Sequence, residues 1–205
     1  MTCGHVWTIG HSNNSIDSFI HLLENHRITA IADVRSIPYS RAAPQFRRES
    51  LRASLRNRGM SYVFLGRELG ARSKDLSCYE DGRVVYERLA QTAEFQGGIE
   101  RVLRGIKVER LALMCAERDP LDCHRTLLVA RALVHRNVQV DHILATGEVE
   151  EHDKSILRLV DRLEGNQLDL FSTLDEQIRV ALQLQERRIA YVDRESVRTQ
   201  SSREL

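Results

Sequence analysis

The sequence predicts an α/β fold: a doubly wound, mostly parallel sheet of about five strands, followed by a helical C-terminal extension. Three observations predict it. Short apolar runs alternate with segments of helical periodicity through residues 1–147. Strands separated by helix-length segments need crossover connections, and these build a parallel sheet covered on both faces. From residue 148 to 205 the composition becomes more charged and strand signals stop, which marks an extension.

The elements follow in order. "HVWTIGH" reads as a buried strand from His5 to about Ile9. Ile16, Phe19, Ile20 and Leu23 then repeat at helical spacing, with Asn14 or Ser15 as the cap. "TAIADVR" is the second strand. "SIPYSRAAPQF" holds two prolines and excludes a regular helix. "RRESLRASLRNRG" is a basic helix that stops at Gly59, and "MSYVFLG" is the third strand. Residues 67–83 read as an irregular charged excursion. "VVYERLAQTAEFQGGIERVLRGI" is helical with Gly97 and Gly98 as weak points. "RLALMCA" is the fourth strand, a helix runs from about Pro120 to Arg136, and "VQVDHIL" is the fifth strand. Two helices follow in the extension, the second opened by a Thr173/Glu176 capping box.

Composition bounds the function. Hydrophobic residues make up 42% of 205, enough for one sizeable core. A net charge of +1 excludes a whole-molecule pull toward nucleic acid or anionic membrane, though not local patches. No apolar run reaches bilayer length and no basic-then-apolar leader is visible, so the expectation is a cytoplasmic protein with no membrane partner. Cys3, Cys78, Cys115 and Cys123 are too few and too uneven for a disulfide scaffold and are read as thiols.

In an open α/β sheet, ligands bind beyond the carboxyl ends of the strands. The residues at those ends are chemically dense. Gly10, His11, Ser12 and Asn13 follow the first strand. Asp33, Arg35, Pro38 and Ser40 lie in and after the second, and Gly66, Arg67, Glu68, Leu69 and Gly70 after the third. Cys115, Glu117, Cys123, His124 and Arg125 follow the fourth. Asp119 and Pro120 suit a helix start, whose free N–H groups favour an anion or a thiolate. In this reading Cys115 or Cys123 is the nucleophile and Glu117 the general base. His11 is a proton donor or orienting group, and Arg35 and Arg125 clamp an anion. Ser12, Asn13, Asp33, Ser40, Gly66, Arg67 and His124 complete the ligand-binding set.

Taken in order, "TIGHSN", "DVRSIPYSR", "FLGRELG", "GRVVYERLAQTAEFQGGIERV" and "MCAERDPLDCHR" resemble the DUF488 family of bacterial and archaeal proteins, over about residues 7–146. The resemblance implies a Rossmann-like α/β fold and an active site built on the Cys-x-Glu and Cys-His-Arg motifs. Matched motif by motif, it carries over His11, Ser12, Asp33, Arg35, Pro38, Gly66, Leu69, Gly70, Cys115, Glu117, Cys123, His124 and Arg125, and none of these is lost here.

Blander readings stand beside these. Cys115 and Cys123 can be small packed residues. One of Arg35 and Arg125 can hold Asp33 as a structural ion pair. Zinc is not predicted: the two cysteines lie eight apart, and neighbours such as Cys123 and His124 point to different faces of a helix. No G-x-G-x-x-G or G-x-x-x-x-G-K occurs, so no cofactor is predicted.

Two further segments point to DNA. Arg41, Arg47, Arg48, Arg52, Arg56 and Arg58 lie near Tyr39, Phe46 and Tyr62, a pattern that suits phosphate contact and base stacking, or simply a solvated helix face. Gln167-Leu168-Asp169-Leu170-Phe171 resembles the peptide by which bacterial replication proteins dock on the sliding clamp. Its apolar residues could equally pack back on the domain. The combined expectation is a thiol-dependent hydrolase or transferase. It acts on a nucleotide or a nucleic-acid-linked group, possible partners being nucleic acid and the sliding clamp. The alternative is a non-catalytic binding or sensing protein tethered to DNA machinery.

Overall fold

The computed structural model describes residues 4–163 and 172–193. In chain order the elements are β1 (His5–Gly10), α1 (Ile16–Asn25), β2 (Ala30–Asp33), α2 (Arg48–Arg56), β3 (Ser61–Phe64) and α3 (Gly66–Leu69). Next come β4 (Tyr79–Glu80), β5 (Arg83–Val84), α4 (Tyr86–Gln91), α5 (Ala93–Gly105) and β6 (Leu111–Cys115). A π-helical stretch, Arg125–Ala130, leads into α6 (Arg131–Val134). The rest is β7 (Gln139–Ile143), β8 (Val149–Glu151), α7 (His152–Leu163) and α8 (Leu174–Ile189).

The main sheet has six strands in the order β3-β2-β6-β1-β7-β8. All neighbours pair in parallel except β7 and β8. The expected count of about five is therefore one short. The missing strand is β8, three residues that pair antiparallel with β7 inside the segment assigned to the extension. Two glutamates in three residues hide it from any apolar-run criterion.

Period-two alternation sorts β6 between two cores. Ala112 and Met114 face Phe19, Leu23, Leu51 and Leu55 from α1 and α2. Leu111, Leu113 and Cys115 face the opposite layer, with Phe95, Ile99, Leu127 and Leu133. Leu159 of α7 and Ala181 of α8 belong to that same layer. The extension thus shares a core with the sheet. Ser15 caps α1, and Thr173 with Glu176 forms the capping box of α8.

Three other local readings change. The helix expected from Pro120 to Arg136 is a 3-10 turn over Pro120–Asp122, an extended Cys123 (φ −138°, ψ 141°), then the π-helical stretch and α6. The irregular excursion contains α3 and the β4–β5 hairpin. Gly98 is no weak point. A Cβ there would come within 2.7 Å of Leu69 Cδ2, so glycine is what lets α5 close onto α3. Among the described residues no helix is long and apolar enough to cross a membrane.

The strand order positions the site. From β1 and β2 the chain moves toward the β3 edge, whereas from β6 it moves toward β7. The exits of β1 and β6 diverge although the strands are neighbours, and such a divergence opens a crevice at the carboxyl edge. Gly10 lies beside Cys115, and Asp33 beside Met114, at that edge.

Candidate functional site

Two backbone bonds continue the β1–β6 ladder past the strands: His11 N donates to Cys115 O and Ser12 N to Ala116 O, both at 2.9 Å. Ser12 turns the chain with φ 48°. The His11 ring is fixed on both sides. Nδ1 faces Ser12 O at 2.9 Å, and Nε2 faces Arg35 Nη1 at 3.1 Å. A carbonyl only accepts and a guanidinium only donates, so His11 is the neutral Nδ1–H tautomer. Burial lowers its pKa, in agreement. Phe46 stacks on the ring with centroids 4.2 Å apart.

Asp33 is fully engaged. It accepts from Arg35 Nε at 2.9 Å, Arg35 Nη2 at 2.6 Å and Tyr62 Oη at 2.8 Å. Burial and then the Asp33 charge push the Tyr62 phenol up. Of the two arginines, Arg35 is therefore the one ion-paired with Asp33, and it also holds His11.

Arg125 is 0% exposed, and its Nη1 donates to Glu117 O at 2.8 Å. Its Nε has no partner, and among the described residues no carboxylate lies within ion-pair distance. A buried cation of this kind favours an anion nearby. The adjacent candidate is the Cys123 thiol, whose Sγ accepts from the Arg125 backbone N–H at 3.4 Å.

Around Cys123 the reactive groups converge. Its Sγ–H reaches Glu117 Oε2 at 2.9 Å. His124 Nδ1 is 3.8 Å from Cys123 Sγ and 3.7 Å from Cys115 Sγ. His124 Nε2 lies 3.1 Å from Val34 O, which assigns the proton to Nε2 and leaves Nδ1 facing both thiols. Burial opposes ionisation of Cys123. The hydrogen bond from Cys115 and the Arg125 and His124 charges outweigh it, so this thiol is held well below its usual pKa. Burial and then Cys123 push Cys115 up. Glu117 is likewise raised, first by burial and then by Cys123. In His124, burial lowers the pKa but is outweighed by Cys123, and the net shift is upward. The result is a proton-sharing cluster with Cys123 as its most acidic thiol. Both thiols are buried, Cys123 at 1% and Cys115 at 3% exposure. Glu117 stands at the solvent rim with its carboxylate turned inward.

Segment 119–122, just before Cys123, is held from the extension. Arg158 of α7 grips Asp119 with both Nη atoms at 3.1 Å and also holds Glu150 of β8 at 2.8 Å. Gln185 of α8 donates to Leu121 O at 3.0 Å and to Asp122 Oδ1 at 2.9 Å.

Within the family-model span the residues matched are 15–132, to the domain of unknown function DUF488. The chain belongs to the DUF488 family. No curated protein and no solved structure matches it. The DUF488 span includes Asp33, Arg35 and the whole Cys115–Arg125 cluster, while Gly10 and His11 lie just before it.

The DUF488 fold brings His11, Asp33, Arg35, Cys115, Glu117, Cys123, His124 and Arg125 to one edge through the contacts above. The other sequence-derived residues act elsewhere. Ser40 Oγ accepts from Ala43 N at 3.0 Å and shapes its own loop. Gly66 is a packing glycine, since a Cβ there would lie 1.9 Å from Arg35 O. Gly70 likewise admits Ser36. Asn13 and Arg67 are exposed and make none of the contacts that join the cluster. Gln167, Leu168, Asp169, Leu170 and Phe171 lie outside the described residues. Tyr62 and the Val34 carbonyl were not anticipated as parts of the cluster. Alternation along β3 puts Tyr62 and Phe64 on one face, but only the β2–β3 register carries that phenol to Asp33. Cys115, Cys123 and His124 offer three donor atoms within 4.8 Å of one another and could hold a metal ion.

Proposed function

We propose that this DUF488 protein is a thiol-dependent hydrolase or transferase acting on a nucleotide or a nucleic-acid-linked group. The contact of 2.9 Å between Cys123 Sγ and Glu117 Oε2 carries the reading, because a thiol paired with a proton-accepting carboxylate is an activated nucleophile. In the first step Glu117 takes the Cys123 proton as the sulfur attacks the electrophilic carbon or phosphorus. The bond to the leaving group breaks, and Glu117 passes that proton to the departing group, leaving a covalent enzyme intermediate and a free carboxylate. In the second, Glu117 accepts a proton from water or an acceptor alcohol as it attacks that intermediate and frees the sulfur. We read the sheet as Rossmann-like, with the site at the divergence of β1 and β6. We read residues 1–147 as its α/β unit and residues 148–205 as an extension that adds β8 to the sheet and bears the clamp-like peptide.

The loop between β2 and α2 supports the substrate class. Ile37 and Tyr39 are 56% and 55% exposed, and Arg47 lies over the Tyr39 ring at 4.6 Å. Arg41, Arg48, Arg52 and Arg56 are exposed alongside. An apolar and aromatic tip among cations suits bases and phosphates. The second reading, nucleotide sensing without turnover, is favoured by the burial of both thiols.

The test is intact-mass analysis during turnover of a panel of nucleotide esters and nucleic-acid-linked groups. A transient adduct on Cys123 that accumulates in Glu117→Gln and vanishes in Cys123→Ser supports catalysis. Ligand binding with neither product nor adduct favours the sensing protein.

A further inference from the structure

The cluster has a second property that a nucleophilic thiol does not require. The prediction against a metal rested on the eight-residue spacing of Cys115 and Cys123 and on Cys123 and His124 sharing a regular helix, which would aim them apart. That helix is absent at Cys123, whose backbone is extended (φ −138°, ψ 141°). His124 follows in helical conformation, with φ −61°. The change of backbone state between neighbours turns both side chains toward Cys115.

The donor spacing can be compared with a known coordination geometry. Tetrahedral zinc, with Zn–S of about 2.3 Å and Zn–N of about 2.05 Å, separates a sulfur from a nitrogen by roughly 3.6 Å. Here the His124 Nδ1 to sulfur distances are 3.7 and 3.8 Å. The surroundings agree. A metal-binding imidazole normally donates its other N–H to a carbonyl or carboxylate, and His124 Nε2 faces Val34 O. The Cys123 sulfur accepts a backbone N–H from Arg125. Charge also closes. Two thiolates and the Glu117 carboxylate against a dication leave one negative charge, and the buried Arg125 guanidinium, which has no carboxylate partner among the described residues, supplies the positive one.

From this geometry we propose that Cys115 Sγ, Cys123 Sγ and His124 Nδ1 form a binding site for a zinc-class divalent cation, with the Glu117 carboxylate beside the fourth position. Three protein ligands and a fourth position shared with a carboxylate or solvent is the arrangement of an exchangeable or reactive site rather than a closed structural one. Zinc is the fitting class because two thiolates and an imidazole in tetrahedral array suit a borderline-soft ion without redox demands. The inference does not need the proposed reaction. It does set a rule for it: a loaded site has both sulfurs coordinated, so metal occupancy and alkylation of these thiols exclude each other.

The experiment uses the full-length chain, reduced and stripped with a chelator. Cobalt(II) is titrated first for its thiolate-to-metal absorption, then zinc against a chromophoric chelator. The expected result is one ion per chain, charge-transfer absorption, and slower alkylation of Cys115 and Cys123 by iodoacetamide in the zinc-loaded than in the stripped chain, read by peptide mass. Cys115→Ser, Cys123→Ser and His124→Ala should each lose the cobalt band, while Cys3→Ser and Cys78→Ser keep it. Zinc should raise the melting temperature of the parent and of the Cys78→Ser control but not of the ligand variants. Circular dichroism before titration selects whichever of the three ligand variants fold, and any one suffices. Absence of the cobalt band in the parent, or a band that survives in a folded ligand variant, overturns the proposal. Metal binding without a Cys123 adduct in turnover assays would instead sink the thiol mechanism and leave this site standing.

Discussion

Replacing Gly10 by alanine should misplace Glu117 and loosen the whole cluster. The new Cβ would lie 1.8 Å from Glu117 O, 2.8 Å from Glu117 C and 3.2 Å from Arg125 Nη2. Retreat from 1.8 Å to the closest tolerable 3.0 Å moves the loop by roughly 1.2 Å. Glu117 O accepts from Arg125 Nη1 at 2.8 Å, and that bond stretches past useful length. A hydrogen bond to a charged group contributes about 1.5–3 kcal/mol, and the fully buried Arg125 has no ready replacement from solvent, so a loss of about 3 kcal/mol follows. A displacement of about 1 Å at a catalytic group can cost roughly 100-fold in rate, so any activity should fall at least that far. Urea unfolding measures the first quantity and turnover the second. Gly97→Ala is the control: a Cβ there meets nothing within 4 Å, and the gain in helix propensity should stabilise by about 0.5–1 kcal/mol. Gly10→Ala as stable and active as the parent would show that the close approach of Gly10 to Glu117 O does not hold the loop in place.

Three further outcomes follow from other residues. His152 Nδ1 lies 3.2 Å from His142 Nε2, and burial lowers the His152 pKa to about 4 from an ordinary 6.5. The unfolded chain therefore takes up the proton first. The stability this group contributes is complete above pH about 6.5 and is lost as pH falls toward about 4, by about 3 kcal/mol in all. Urea midpoints at pH 7, 5.5 and 4.5 measure this, and His152→Gln with an equally steep decline would refute the assignment. Asp33→Asn should cost about 3–5 kcal/mol, because it strands the buried Arg35 charge, whereas Tyr62→Phe should cost about 1 kcal/mol. Equal losses by denaturant titration would mean that the ion pair is not the dominant partner. If residues 167–171 are a clamp-docking peptide, the parent should bind a bacterial sliding clamp at micromolar scale, about −8 kcal/mol, and the Leu170→Ala/Phe171→Ala double variant should lose that binding in calorimetry. Undiminished binding would remove the clamp reading.

Much of this architecture was legible because it rests on periodicity. The apolar alternation of β6 and the caps at Ser15 and Thr173 are local signals, and each marks the element it should. The meeting of the β1, β2 and β6 ends follows from parallel topology, whereas the residues expected from the β3 end pack elsewhere. What escaped was set by tertiary contacts. β8 forms only because β7 offers an open edge, and Val149–Glu151 carries no strand signal of its own. The segment from about Pro120 to Arg136 reads as one helix in the sequence. Asp119 instead caps a 3-10 turn, with its carboxylate accepting from Leu121 N, and the chain straightens at Cys123 before winding again. That single break decides whether Cys123 and His124 diverge or meet. The roles of Arg35 and Arg125 were likewise fixed by which of them reaches Asp33 and which reaches the Glu117 backbone carbonyl instead, a distance no spacing rule supplies.

The grip of α7 and α8 on residues 119–122 makes the C-terminal region a splint. Arg158 bolts the Asp119 turn to the Glu150 edge, and Gln185 braces the same turn from behind. Force or displacement applied to the tail therefore travels through two side chains to the residue preceding Cys123. A partner that docks on the tail would be pulling on the lever that sets the thiol, and a chain shortened to its first 147 residues would keep every reactive group yet lose the frame that aims them.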